Sequence, residues 1–324
     1  MKTTKNKLSL KLLALIILLV IFLNLNYFLY LSQNKKSSWE KTKVIDKLPK
    51  SSLDSLGLKI IGIFFLISLI GGIILEIRFF SHLLKNKNLG FPPFIYSTLT
   101  VRNVLEGLIL IIFFLSIFRF IGSFLLKEII IKQPNFLNLL LNAFFQIFSI
   151  LTILTFFDKK ELGIKIEEIK RLLIFLLSGI KTYIGILPLL VLSGFISTLI
   201  LKILNLKPQP MPIVIFFLKE KNILNLSLLA LEAIFIAPLL EELIFRGVIF
   251  RLLRKRYPFL FSSLIAGVAF SFLHYNSFSF LPILILAVGL AYIYERQKNI
   301  LAPIFLHSLH NFLTLLILFS VRGG

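Results

Sequence analysis

Cysteine is absent from the 324 residues, which removes disulfides, cysteine-ligated iron-sulfur clusters, thiolate zinc sites and a cysteine nucleophile together. Acidic residues are few: 15 Asp and Glu stand against 36 Lys and Arg, a formal net charge of +21. Aspartate is confined to Asp46, Asp54 and Asp158, all in expected loops, so a pair of intramembrane aspartates has no source. Charged residues make up only 16% of a chain that is 57% hydrophobic, which excludes a soluble domain. No basic stretch is interleaved with exposed aromatic residues, so no nucleic-acid partner is expected. The positive charge instead suits basic cytoplasmic loops facing the anionic headgroups of a lipid bilayer.

What is present is apolar sequence in long runs. The hydrophobic fraction, 57% of 324 or about 185 residues, is enough for roughly nine spans of about 20 residues each. Runs extend from about Leu12 to Leu31, Leu58 to Ile77, Val104 to Leu126, Phe136 to Phe157 and Leu172 to Leu201. Four more follow, from about Ile223 to Phe250, Phe259 to His274, Phe278 to Tyr294 and Ile300 to Phe319. The expected fold is therefore all-α, a polytopic transmembrane helix bundle of about eight to nine spans. The first run follows Lys2, Lys5, Lys7 and Lys11, but it is longer than a signal peptide's apolar region and lacks an Ala-x-Ala-like cleavage site, so it reads as a retained helix.

With the amino terminus inside, the inner segments hold 19 Lys and Arg against 13 outside. The run Arg251, Arg254, Lys255 and Arg256 is the strongest cytoplasmic marker. The proline-bearing loop at 202–222 marks the best internal boundary. It divides amino-terminal helices of unassigned role, 1–215, from a segment, 216–324, whose last four helices carry nearly all the polar chemistry.

Ionisable groups inside a span cost about 2.5 to 3.5 kcal/mol each even on lenient scales, so their presence demands a reason. The sixth span contains Glu241, Glu242 and Arg246. Glu242 and Arg246 are spaced i, i+4 and can pair on one face, while Glu241 lies about 100° away and is free to face a cavity. Pro238 removes a backbone donor just before the pair. His274 ends the seventh span, and His307 and Asn311, again i, i+4, share a face of the ninth. Such a set can hydrolyse an amide: Glu241 as general base on a water, His274 orienting that water, His307 and Asn311 donating to the oxyanion.

In order along the last four helices the motifs are Glu-Glu-x-x-x-Arg (Glu241, Glu242, Arg246), Phe-x-x-x-His (Phe270, His274) and His-x-x-x-Asn (His307, Asn311). This set resembles the CPBP family of CAAX proteases and bacteriocin-processing enzymes, also called the ABI family, which includes the type II CAAX prenyl endopeptidases. The resemblance covers about residues 223–319 and implies an intramembrane endopeptidase. In it Glu241 activates water, His307 with Asn311 stabilises the oxyanion, and Glu242, Arg246 and Phe270 support them. No cofactor is expected. Zinc is the alternative, with Glu241, His274 and His307 as candidate ligands, although no His-Glu-x-x-His is present. The stretch Glu295 to Pro303 departs from the turn usual in bacterial members.

Taken singly, each of these side chains suits an interhelical hydrogen bond; together and in order they suit catalysis. His310 has no motif counterpart and is expected to pack. The competing class is a non-catalytic membrane binding protein or bacteriocin self-immunity factor on the same scaffold. The expected substrate is a membrane-associated or lipidated peptide or protein, and the Ile-, Lys- and Phe-rich composition fits a bacterial cell membrane.

Overall fold

The computed structural model describes residues 56–86, 100–103, 105–107, 109, 134–160, 162–274 and 276–322. The expected first span and nearly all of the third lie outside the described residues, as does the side chain of His82. The described residues are helical, with no strand among them. Helix α1 is Leu56–Asn86, α2 is Pro134–Phe156 and α3 is Leu172–Ile203. A short α4, Pro212–Lys219, leads into α5, Ile223–Arg254, followed by α6 (Phe259–Phe272), α7 (Phe280–Gln297) and α8 (Leu301–Arg322). Among the described residues five helices are long and apolar enough to cross a membrane: Asn135–Phe156, α3, α5, α7 and α8. The protein is a multi-pass integral membrane protein with an all-α fold.

The chain divides into two compact units, one containing α2 and the other drawn from 48–98 and 157–324. The second unit holds every candidate site residue. Within it α3 packs against α1, α7 and α8, and α7 packs against α6. A Cβ on Gly72 of α1 would strike the Ile184 carbonyl and the Pro188 ring, so glycine is what lets α1 lie against α3. One core cluster joins Phe175 and Leu190 of α3 to Leu286, Leu290 and Ile293 of α7 and Ala302 and Leu306 of α8. A second joins Phe245 of α5, Phe270 of α6 and Ile283 and Ala287 of α7, with Met211 against it. The opposite face of α3, with Leu173, Leu177, Leu192 and Phe195, stays exposed, as an apolar face turned to lipid should.

Helix α5 is not uniform. Asn222 caps it, its Oδ1 accepting from Leu224 N at 2.9 Å. Two π-helical segments, Glu232–Ile236 and Leu243–Phe250, then flank the α-helical turn and a half that bears Glu241 and Glu242. Such widened turns gather at functional sites because they redirect side chains and free carbonyls.

At one end of the unit the segment 158–171 is tied to the turn between α7 and α8. Ile300 N donates to Gly163 O at 3.0 Å, and Asn299 Nδ2 donates to Glu168 Oε2 at 3.2 Å while its Oδ1 accepts from Leu301 N. Gly163 has φ +78°, the left-handed region, and an added Cβ would sit 2.5 Å from the Tyr294 hydroxyl. Arg251 and Arg254, part of the basic run that marks the cytoplasmic side, are buried. Arg251 Nη1 donates to Lys160 O, and Arg254 donates from Nε and Nη2 to Glu295 Oε1 at 3.2 and 2.8 Å. Lys298 Nζ joins the same oxygen at 3.2 Å. Burial pulls the Lys298 ammonium below its ordinary value, against the opposing attraction of Glu295.

Candidate active site

The site forms where the middle of α5 meets α8 and the end of α6. Glu242 is completely buried, and its Oε1 accepts from Arg246 Nη1 at 2.9 Å on the same helix. Arg246 Nη2 donates in turn to Ala287 O of α7 at 3.0 Å, and its guanidinium lies 4.9 Å from the centre of the Phe270 ring. A buried cation is thus met by a carboxylate, a carbonyl and an aromatic face, three of the few environments that make such burial tolerable.

His307 of α8 brings the second partner to Glu242. Its Nδ1 lies 2.9 Å from the same Oε1, while Nε2 faces Glu241 with 3.8 Å to Oε2. Because Arg246 already donates to that oxygen, Glu242 is the acceptor, which assigns the proton to Nδ1 of the imidazole. Neutral His307 therefore presents a bare Nε2, and it can donate from Nε2 only as an imidazolium. Glu241, 31% exposed in its side chain, is the more accessible of the two adjacent carboxylates.

Phe270 links both histidines. Its ring stands 5.8 Å from that of His307, edge to face, and 4.8 Å from that of His274. The Phe270 carbonyl is 2.9 Å from His274 Nδ1, which assigns that proton too and leaves His274 Nε2 an acceptor. His274 was expected as the last residue of a helical span. The helix ends at Phe272, and His274 lies half-buried in the following turn. Asn311, one turn beyond His307, donates from Nδ2 to Ala233 O in the first π-helical segment of α5 at 2.7 Å. His310 packs as expected: its Nδ1 is 3.3 Å from the Tyr183 hydroxyl of α3.

Glu241, Glu242, Arg246, Phe270, His274, His307 and Asn311 are thus placed around one junction by three helices, α5, α6 and α8. The contact of Glu242 with His307 was not foreseen, because the i, i+4 rule speaks only within a helix. The candidate zinc donors do not form a ligand set: among the described residues no three His, Asp or Glu side chains gather closely enough to hold a metal ion.

The match to a family model falls on the same segment. Residues 223–313 match the family of type II CAAX prenyl endopeptidase, Rce1-like. This Rce1-like segment runs from the start of α5 into α8 and contains all seven residues above. The chain is also 36% identical over 89 residues to the protein named "Putative membrane peptidase YdiL" of Bacillus subtilis (strain 168). That alignment covers 27% of this chain and 36% of the relative, so the chain matches about a third of the relative's length. No solved structure matches.

Proposed function

We propose that the protein is an intramembrane endopeptidase that hydrolyses a peptide bond of a membrane-associated or lipidated peptide or protein. The reading is carried by one observation: Glu241 and His307, from helices that are distant in sequence, face each other across 3.8 Å inside the Rce1-like segment. A gap of that length is too wide for a hydrogen bond, and suits two groups that act on a third beside them.

In the proposed reaction Glu241 takes a proton from a water whose other hydrogen is held by His274 Nε2. The water oxygen bonds to the carbonyl carbon of the substrate. Negative charge moves to the carbonyl oxygen, where His307 as an imidazolium and the second N–H of Asn311 donate to it. The carbon–nitrogen bond then breaks, the amine leaves with the proton carried by Glu241, and the product acid gives its remaining proton to His274 Nε2, leaving a carboxylate. Glu242 holds the positive imidazole in place, as an orienting carboxylate does for a histidine in other hydrolytic sites. The reactive groups lie in 216–324, which we take as the protease core, with α1 and α3 from the preceding stretch packed on it.

The test uses the full chain in detergent or proteoliposomes with a panel of quenched lipopeptides and leader peptides, each with and without chelator. Cleavage by the wild type that is lost in Glu241→Ala and His307→Ala and insensitive to chelator is expected. Chelator-sensitive cleavage would replace the glutamate-type reading with a metal-dependent one. A folded wild type inert across the panel would favour a binding or immunity protein on this scaffold.

A further inference from the structure

Asn311 does not hold its position alone. In the first π-helical segment of α5 the Ala237 N–H donates to Glu232 O, five residues back, and so bypasses Ala233. The next donor in that register is position 238, which is proline and has no N–H. The Ala233 carbonyl is therefore left without its ladder partner, and the Asn311 side chain, 78 residues away, donates to it at 2.7 Å. A carboxamide nitrogen has two N–H groups in a fixed plane, so tying one to Ala233 O fixes the direction of the other.

We infer that Pro238 is a positioning residue: by denying the Ala233 carbonyl a partner within its own helix, it recruits Asn311 and aims the remaining N–H of that side chain into the site. The inference deepens the proposed peptidase reading and rests on it for the role of the aimed N–H. The contact itself stands apart from any activity. The position of the proline is the decisive feature, since one residue earlier or later would free a different carbonyl, on another face of α5. Pro238 lies three residues before Glu241, so the same local break that frees Ala233 O precedes the general base by less than one turn.

The experiment is a double-mutant cycle of Pro238→Ala and Asn311→Ala in the full chain, read by thermal unfolding in detergent and by peptide cleavage. Alanine at 238 supplies the missing N–H, so Pro238→Ala folds and gives the Ala233 carbonyl a partner within the helix. Asn311→Ala should then lower Tm clearly in the wild-type background and much less in the Pro238→Ala background. In cleavage, Pro238→Ala should lower kcat by about ten- to a hundredfold with KM little changed, the scale of a misaimed group. It should lower kcat no further once Asn311 is alanine. Equal Tm losses from Asn311→Ala in both backgrounds would overturn the inference, as would a Pro238→Ala activity loss of the same size with or without Asn311. If the wild type cleaves nothing, the peptidase reading fails while the Tm cycle still decides whether Pro238 recruits Asn311.

Discussion

His307 Nδ1 lies 2.9 Å from Glu242 Oε1, a contact made between helices across 65 positions of sequence. Glu242 thereby serves two cations or donors at once, Arg246 and His307, from a single buried oxygen. In the proposed reaction the second glutamate of the pair therefore orients and the first reacts. Replacing Glu242 with Gln keeps the shape and removes the charge. It is expected to lower kcat by about 10- to 100-fold, the usual cost of losing an orienting partner, with a smaller change in KM. Steady-state kinetics on any cleaved peptide checks this.

Arg246 is expected to matter for folding more than for chemistry. Arg246→Ala leaves the fully buried Glu242 without its counter-charge and should destabilise the protein by about 3–5 kcal/mol. Arg246→Lys should recover only part of that. A lysine ammonium is a compact point charge that cannot reproduce a planar fork reaching Glu242, Ala287 O and the Phe270 face together. Thermal or denaturant unfolding in detergent measures both.

Much of this site was legible in the sequence because helical periodicity fixes which residues share a face. The pairing of Glu242 with Arg246, and the common direction of His307 and Asn311 toward α5, follow from i, i+4 spacing alone. The expected ends of the last four spans fell within a few residues of α5 to α8. The Glu242–His307 contact was hidden because no periodicity rule reaches across helices. The burial of Arg251 and Arg254 was hidden because their partners, Glu295 and Lys160 O, come from the last turn of α7 and from a loop, both distant in sequence. His274 leaves its helix because the helix stops at Phe272, a boundary for which the sequence carries no glycine or proline signal.

The tie between segment 158–171 and α7 gives a prediction far from the site. Gly163→Ala faces both an unfavourable φ of +78° and a clash with Tyr294, and should lower Tm. Tyr294→Phe in the same chain removes the oxygen that the new Cβ would meet at 2.5 Å and should restore part of the loss. Unfolding of the single and double variants separates the steric share from the backbone share, and a double variant no better than Gly163→Ala alone would contradict the contact.

Glu168 supplies a pH dependence. Burial alone would raise its carboxyl, but hydrogen bonds from Asn299 and Lys165 and the charges of Lys165 and Arg171 carry it below its ordinary value of 4.5. A carboxylate depressed in the folded state contributes stability above its unfolded value and loses it as pH falls through the folded one. The Tm difference between wild type and Glu168→Gln should therefore be full at neutral pH and shrink as pH falls below the ordinary value of 4.5. A difference that is constant across acid pH would show that the charge is not what matters.

The central claim is that Glu241 is the general base of an intramembrane peptidase, and it is tested most directly by Glu241→Gln in proteoliposomes. This near-isosteric change keeps the half-exposed position filled while removing the basic oxygen. The account predicts cleavage slowed by about 10²- to 10⁴-fold, the usual share of a general base, with Tm unchanged. Cleavage within about twofold of wild type would place the base elsewhere and contradict the account.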